Sequence, residues 1–242
     1  MSAADGKPFA GQLALVTGAS RGIGAATALA LAEAGAHVIL TARDAKALEA
    51  IEEQIFAAGG SATIAPVDLA EPDGIARLAT AIRGRWEALD IMVINAALCP
   101  QLTGVADIDQ AAWNKALTVN LLATQSLVAH FDSMLRKSAD ARVVGMTSTV
   151  ATQPRAYWGA YASTKAGFEA LLDCYAQEVA KVSKIRVAIL NPGATRTAMR
   201  ARAYPGEDPA SVKPPETVAA RVVSLLGERF SSPHRETVNL VS

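Results

Sequence analysis

Residues 12–43 read QLALVTGASRGIGAATALALAEAGAHVILTAR. The run QLALVTG (12–18) is short, apolar and β-branched, which predicts a strand ending in a turn. Residues 21–34 are rich in alanine and leucine, which predicts a helix. HVILTAR (37–43) predicts a second strand. Strand, glycine turn, helix and strand in this order make a βαβ unit. Gly18 permits a tight turn, while Gly22 and Gly24 let backbone come close to a ligand and to the sheet. The free N–H groups at the start of the helix suit a phosphate there. The spacing is G-x3-G-x-G, and the turn points to a nucleotide only because a strand precedes it and a helix follows.

The alternation continues along the chain. Asp44 is positioned to cap a helix over 45–58, which Gly59 and Gly60 end. ATIAPVDL (62–69) predicts a third strand, with Pro66 an objection, and a helix follows to about Trp86. DIMVIN (90–95) is the most continuous apolar strand, as expected where both faces are covered. A long helix is expected over 109–136, a strand at RVVGMTS (142–148), and a second long helix over 157–182. IRVAILN (185–191) is the sixth strand. A Pro/Gly/Arg-rich segment (192–215), a helix over 216–227 and the strand ETVNLV (236–241) complete the chain. The expected fold is α/β: one domain, a doubly wound parallel sheet of seven strands of Rossmann type, with helices on both faces. Residues 1–11 read as a polar tail and 194–215 as a lid on the substrate side.

Composition narrows the function. The 242 residues are 51% hydrophobic and 19% charged, enough for a substantial core. The 23 basic and 23 acidic residues balance, giving no overall attraction to nucleic acid or to an anionic membrane. Cys99 and Cys174 match no metal spacing and read as free thiols in a reducing cytosol. His37, His130 and His234 are scattered, so no metal is expected. The N-terminus lacks the basic start and apolar run of a signal peptide, and no uncharged apolar stretch approaches the ~18 residues of a membrane span. A cytoplasmic protein is expected.

The second strand indicates which nucleotide. NAD sites place an acid near its end to bind the ribose 2′-OH. Here that end reads Thr41-Ala42-Arg43, and Asp44 is assigned to the helix cap. Arg43 and Arg21 could clasp a 2′-phosphate instead, so the expected cofactor is NADP(H).

QPRAYWGAYASTK (153–165) carries Tyr157 and Tyr161, four apart, and Lys165, four further on. On a helix Tyr161 and Lys165 share a face, and a neighbouring ammonium lowers a phenol pKa. That would make Tyr161 a usable acid or base.

With these residues in place, the sequence resembles the short-chain dehydrogenase/reductase family from about Gln12 to Val241. TGASRGIG matches the family's TGxxxGxG cofactor turn, which implies contacts from Gly18, Ser20, Arg21, Gly22, Ile23 and Gly24. Asp68 and Leu69 match the adenine-side segment, and Asn95-Ala96-Ala97 matches Asn-Ala-Gly after the fourth strand. Pro192, Gly193, Thr195 and Thr197 in NPGATRT match the segment that holds the nicotinamide. Asn120, Ser148, Tyr161 and Lys165 match the catalytic four. In the family, Lys165 also holds the nicotinamide ribose, Ser148 orients the substrate oxygen, and Asn120 holds a water leading from Lys165 to solvent. Within the family the chain looks like the bacterial YciK-like branch, related to the oxoacyl-(acyl-carrier-protein) reductases.

The resemblance implies NADP(H)-dependent interconversion of a carbonyl and an alcohol, with Tyr161 as the proton donor in reduction of a ketone, aldehyde or 3-oxoacyl group. A catalytically silent NADP(H)-binding sensor or scaffold is the alternative. It also implies a homodimer through the two long helices. Two departures stand out. Ala97 replaces a glycine beside the cofactor ribose, and the chain stops at VNLVS without the Asp-Gly-Gly tail tied to tetramer contacts. On the substrate side, Tyr157 and Trp158 could wall the pocket or pack in the core. Arg196, Arg200 and Arg202 could attract a carboxylate, a phosphopantetheine or an acidic carrier protein, or could be solvated loop charges.

Overall fold

The apolar run Leu13–Thr17 forms strand β1, and every one of its residues is buried. A strand covered on both faces has no need to alternate polar and apolar residues. The computed structural model describes residues 6–239. Six further strands join β1: β2 (His37–Thr41), β3 (Ser61–Ile64), β4 (Ile91–Ile94), β5 (Arg142–Met146), β6 (Arg186–Asn191) and β7 (His234–Thr237). All pairings are parallel and the order is β3-β2-β1-β4-β5-β6-β7. The chain therefore winds outward from β1 to β3, then returns to the middle and winds out the other way. The reversal lies between β1 and β4, where open parallel sheets bind ligands.

Two apolar layers cover the sheet. On one face lie helices α1 (Gly22–Glu33), α2 (Ala45–Ala57) and α9 (Pro215–Gly227), with Leu31, Leu48 and Val222 in the core. On the other lie α3 (Gly74–Arg83), α5 (Ala123–Lys137) and α7 (Gly159–Val179), contributing Leu78, Phe131 and Leu172. Asp44 caps α2, its carboxylate accepting from the Ala47 N–H at 3.1 Å. No helix among the described residues is long and apolar enough to cross a membrane.

Four expectations shift. Strand β3 stops at Ile64, two residues before Pro66, which has no N–H for the ladder. The last strand lies over His234–Thr237 rather than 236–241, paired with β6 through Ala188 and His234; residues 240–242 fall outside the described residues. The N-terminal segment is not a solvated tail throughout. Phe9 is buried, with the Arg142 guanidinium 5.6 Å from its ring centre, while residues 1–5 lie outside the described residues.

The long helix over 109–136 is interrupted. It runs as α4 (Gln110–Leu117), a π-helical turn (Thr118–Leu122) and then α5. Thr118, Val119 and Asn120 are weak helix formers, and a π turn absorbs one extra residue. The result is that Asn120 is buried.

At the reversal point the glycine turn closes on β4. Thr17 Oγ1 accepts from the N–H groups of Asn95 and Ala96 at 2.9 and 3.0 Å, and Asn95 Nδ2 donates to Thr17 O at 2.9 Å. Gly18 has φ +67°, and a Cβ at Gly24 would lie 2.1 Å from Gly18 O and 2.5 Å from Asn95 Nδ2. The obstacles are backbone and a fully committed amide, so neither can yield. Gly24→Ala is expected to cost roughly 1–3 kcal/mol or more of stability, measured as a lower urea midpoint. An unchanged midpoint would show that the turn has slack.

Candidate active site

One cavity of about 1080 Å³ opens along the carboxyl ends of the strands. Its floor is the glycine turn, and its walls come from the segments that follow β2 through β6. Of the residues that sequence reasoning assigned to the cofactor, Gly18, Ser20, Arg21, Gly22, Ile23, Arg43, Asp68, Leu69, Asn95, Ala96, Ala97, Tyr161, Lys165, Pro192, Gly193, Thr195 and Thr197 all line it. Gly24 does not. It lies behind the turn, against Gly18 O, and shapes the floor rather than touching what lies on it.

The adenosine end holds Arg43, Asp44 and Asp68. Arg43 Nη1 is 3.9 Å from Asp68 Oδ2, a loose pairing, and Asp68 Oδ1 accepts from the Ala70 N–H at 3.0 Å. The Asp44 carboxylate serves its helix. Two arginines, Arg21 and Arg43, thus face this end beside acids already engaged. Opposite, Thr195 is buried and donates to Pro192 O at 3.1 Å, while Lys213 Nζ donates to Ala194 O at 3.0 Å. These bonds hold the segment after β6 against the floor, with Thr197 beside Gly22.

The glycine floor, the free helix N-terminus and the two arginines fit a dinucleotide carrying a 2′-phosphate.

Ser148, Tyr161 and Lys165 all line the cavity, Ser148 just after β5 and the other two in the first turns of α7. Helix α7 lies tight on β5: a Cβ at Gly145 would sit 2.3 Å from Leu172 Cδ1. Lys165 is buried, donates from Nζ to Met146 O at 2.6 Å and lies 4.5 Å from the centre of the Phe168 ring. Burial lowers its pKa to about 8, and the Glu169 carboxylate one turn on opposes that fall. Glu169 itself is buried, accepts from the Thr147 hydroxyl at 2.6 Å and pairs with Arg235 of β7.

Tyr161 departs from expectation. Burial pushes its hydroxyl well above the ordinary phenol value, where a lowered pKa was expected from Lys165. Burial of the phenol is the main cause, and the neighbouring Cys99 adds to the rise.

Asn120 does not line the cavity. Its Oδ1 accepts from the Leu98 N–H at 2.7 Å, and its Nδ2 donates to Leu98 O at 2.8 Å and to Thr164 Oγ1 at 2.9 Å. Thr164 in turn donates to Tyr161 O at 2.8 Å. The amide therefore ties the loop after β4 to the first turns of α7, and both of its N–H donors are used within the protein.

On the substrate side, Tyr157 is also out of place as a pocket wall. It has φ +72° and is 66% exposed, because the left-handed turn before α7 sends it to the surface. Trp158 lines the cavity, and a line of tilted rings runs outward from Tyr161. Trp158 lies 6.1 Å from Tyr161 and 5.9 Å from Tyr204, ring centre to ring centre, and the Arg200 guanidinium is 3.6 Å from the centre of the Tyr204 ring. Arg200 is not a free charge. Its Nε donates to Glu207 at 2.7 Å and a second bond makes the pair bidentate. Arg196 lines the cavity and is exposed. Sequence reasoning missed Arg155, Met199 and Tyr204 in this wall, and Glu169 and Thr164 beneath it. Arg155 and Thr164 both lie inside the QPRAYWGAYASTK stretch, but neither type at its position signals a role on its own.

The short chain dehydrogenase family model matches residues 12–208. The uncharacterized oxidoreductase YciK of Escherichia coli K12 is 34% identical over 220 residues, 90% of this chain and 86% of that protein. The rhamnolipids biosynthesis 3-oxoacyl-[acyl-carrier-protein] reductase of Pseudomonas aeruginosa is 33% identical over 238 residues, 90% of each chain. Among solved structures, a short chain dehydrogenase of Escherichia coli CFT073 complexed with NADPH superposes with a TM-score of 0.92 at 32% identity, covering 96% of this chain and 98% of that one. The chain belongs to the short-chain dehydrogenase/reductase family, a family of oxidoreductases.

Asn120→Ala leaves both Leu98 backbone groups and the Thr164 hydroxyl without their partner. A loss of about 1–3 kcal/mol is expected in urea unfolding, and Thr164→Val, which removes one of the three bonds, should cost less. Equal stability of Asn120→Ala and the parent would show that the amide is dispensable.

Proposed function

We propose that the protein is an NADP(H)-dependent carbonyl reductase. The observation that carries the reading is the convergence of Ser148, Tyr161 and buried Lys165 on one wall of the cavity, across from a glycine floor suited to a dinucleotide. Bound NADPH would supply a hydride to the carbonyl carbon. Tyr161 gives its hydroxyl proton to the carbonyl oxygen, so the product is the alcohol. The phenol is neutral at pH 7 and so carries the proton to give, although burial in the free protein makes it a weaker acid. Ser148, the residue just ahead of helix α6 (Thr149–Thr152), offers a hydroxyl to the same oxygen. Lys165 contributes positive charge beside the phenol and a donor for ribose hydroxyls. Asn120 acts as a positioning residue, through Thr164, on the turn that bears Tyr161. The segment 194–215 serves as a lid, fastened by the Arg200–Glu207 pair.

The NADPH-bound relative supports the choice of cofactor, as does the Asp44 cap, which leaves Arg43 as the group facing the ribose. The same surface of α5 and α7 is proposed as a homodimer contact, with Leu122 59% exposed beside it. A silent sensor on this fold has no observation in its favour, since all four catalytic side-chain types are present.

Tyr161→Phe should reduce NADPH-dependent carbonyl reduction by about 10²-fold or more, while NADPH still quenches tryptophan fluorescence with a similar Kd. Near-parental turnover would refute the assignment. Arg43→Ala should weaken NADPH binding about tenfold and change NADH binding little. Equal losses for the two cofactors would remove the 2′-phosphate role.

A further inference from the structure

The substrate half of the cavity is lined by Trp158, Tyr204, Met199 and Leu98 and by four arginines, Arg155, Arg196, Arg200 and Arg202. No carboxylate lines this half: the two acids among the lining residues, Asp44 and Asp68, belong to the adenosine end. The arginines are not equivalent. Arg200 is neutralised by Glu207 and stacked on Tyr204. Arg196 is exposed and, among the described residues, its guanidinium is unpaired, but it adjoins Thr197, which lies beside Gly22 on the cofactor floor.

Arg155 and Arg202 remain. Among the described residues neither guanidinium makes an ion pair or a side-chain hydrogen bond, and both residues are exposed at the cavity. Arg155 opens the turn that closes with the Trp158 N–H donating to Arg155 O at 3.2 Å, which sets it beside the aromatic wall. Arg202 lies on the short helix Ala198–Ala203, whose Met199 packs against the cluster that contains Tyr161. Its charge acts on the Cys99 thiol against the burial that raises the thiol pKa to about 11. Cys99 packs against the Val150–Tyr161–Ala162 cluster with Trp158 and Met199.

A cleft with unopposed positive charge over an apolar wall concentrates anions that also carry an apolar body. A planar guanidinium matches the oxygens of a carboxylate or a phosphate.

We infer that the substrate carries an anionic group, a carboxylate or a phosphate, held by Arg155 and Arg202 while its carbon skeleton lies on Trp158 and Tyr204. This rests on the reductase reading for its carbonyl, but the anion site is separable from it.

The test is calorimetric binding of two matched pairs, with and without NADPH: levulinate against methyl levulinate, and acetoacetyl-coenzyme A against acetoacetyl-N-acetylcysteamine. NADPH oxidation is followed on the same four compounds. The anionic member of one pair is expected to bind about tenfold tighter, and which pair shows it tells carboxylate from phosphate. The preference should shrink with added salt and collapse in Arg202→Ala and in Arg155→Ala. It should persist in Arg77→Ala, on the far surface of α3. Equal binding within both pairs, or a preference that survives both variants, overturns the proposal even if neutral carbonyls are reduced. Anion-selective binding without NADPH oxidation on any compound would instead overturn the reductase reading and leave the anion site standing.

Discussion

A buried ammonium sets the conditions that the rest of this structure meets. Lys165 has almost no exposed surface, and taking a charge out of water costs several kcal/mol unless it is paired and bonded. The Met146 carbonyl, the face of Phe168 and the Glu169 carboxylate share that work. Each depends on α7 lying against β5 at Gly145, where no side chain fits between them. Glu169 then needs partners of its own and finds them in Thr147 and Arg235, with Arg235 also pairing Asp173. A line of alternating charge thus runs from Lys165, through Glu169 one turn on, to Arg235 in the last strand of the sheet. Thr147, between Met146 and Ser148, is pinned by the same line, so the strand end that presents Ser148 is held by the groups that hold Lys165.

The other half of the site is built by exclusion of side chains rather than by charge. The glycine turn, Thr17 and Asn95 close the reversal point of the sheet with backbone in contact with backbone, leaving helix N–H groups free above. The two halves meet through loops that are themselves tied down. Asn120 fixes the loop after β4 to α7, and Lys213 fixes the segment after β6. The proposed function draws on groups these ties leave available at the cavity: the Tyr161 and Ser148 hydroxyls, the loosely paired Arg43 at one end, and Arg155 and Arg202 at the other.

The features legible in the sequence were those with a local cause. Alternating apolar runs and alanine-rich helices indicated seven strands in a doubly wound parallel sheet, the glycine spacing marked the floor, and Asp44 announced its own cap. The π turn was hidden because the helical pattern of 109–136 continues through it, and one extra residue leaves no mark on composition. Tyr157 and Trp158 looked alike as neighbours. A left-handed backbone conformation at Tyr157, set by tertiary packing, sends one to solvent and one to the cavity. Arg200 read as a free charge because its partner, Glu207, lies across a loop whose fold no periodicity describes. The direction of the Tyr161 shift was misjudged for a related reason: spacing reveals a nearby lysine but not how much water both groups have lost.

Burial lowers the Lys165 pKa while the Glu169 carboxylate opposes the fall, and the proposed role of Lys165 beside Tyr161 depends on that balance. Titrating the Lys165 Nζ signal of the ¹⁵N-lysine-labelled protein by NMR tests it directly. A pKa of about 8 is expected, well below the ordinary 10.5, and it should fall further in Glu169→Gln. A value at 10.5, or one that Glu169→Gln leaves unmoved, would contradict the account.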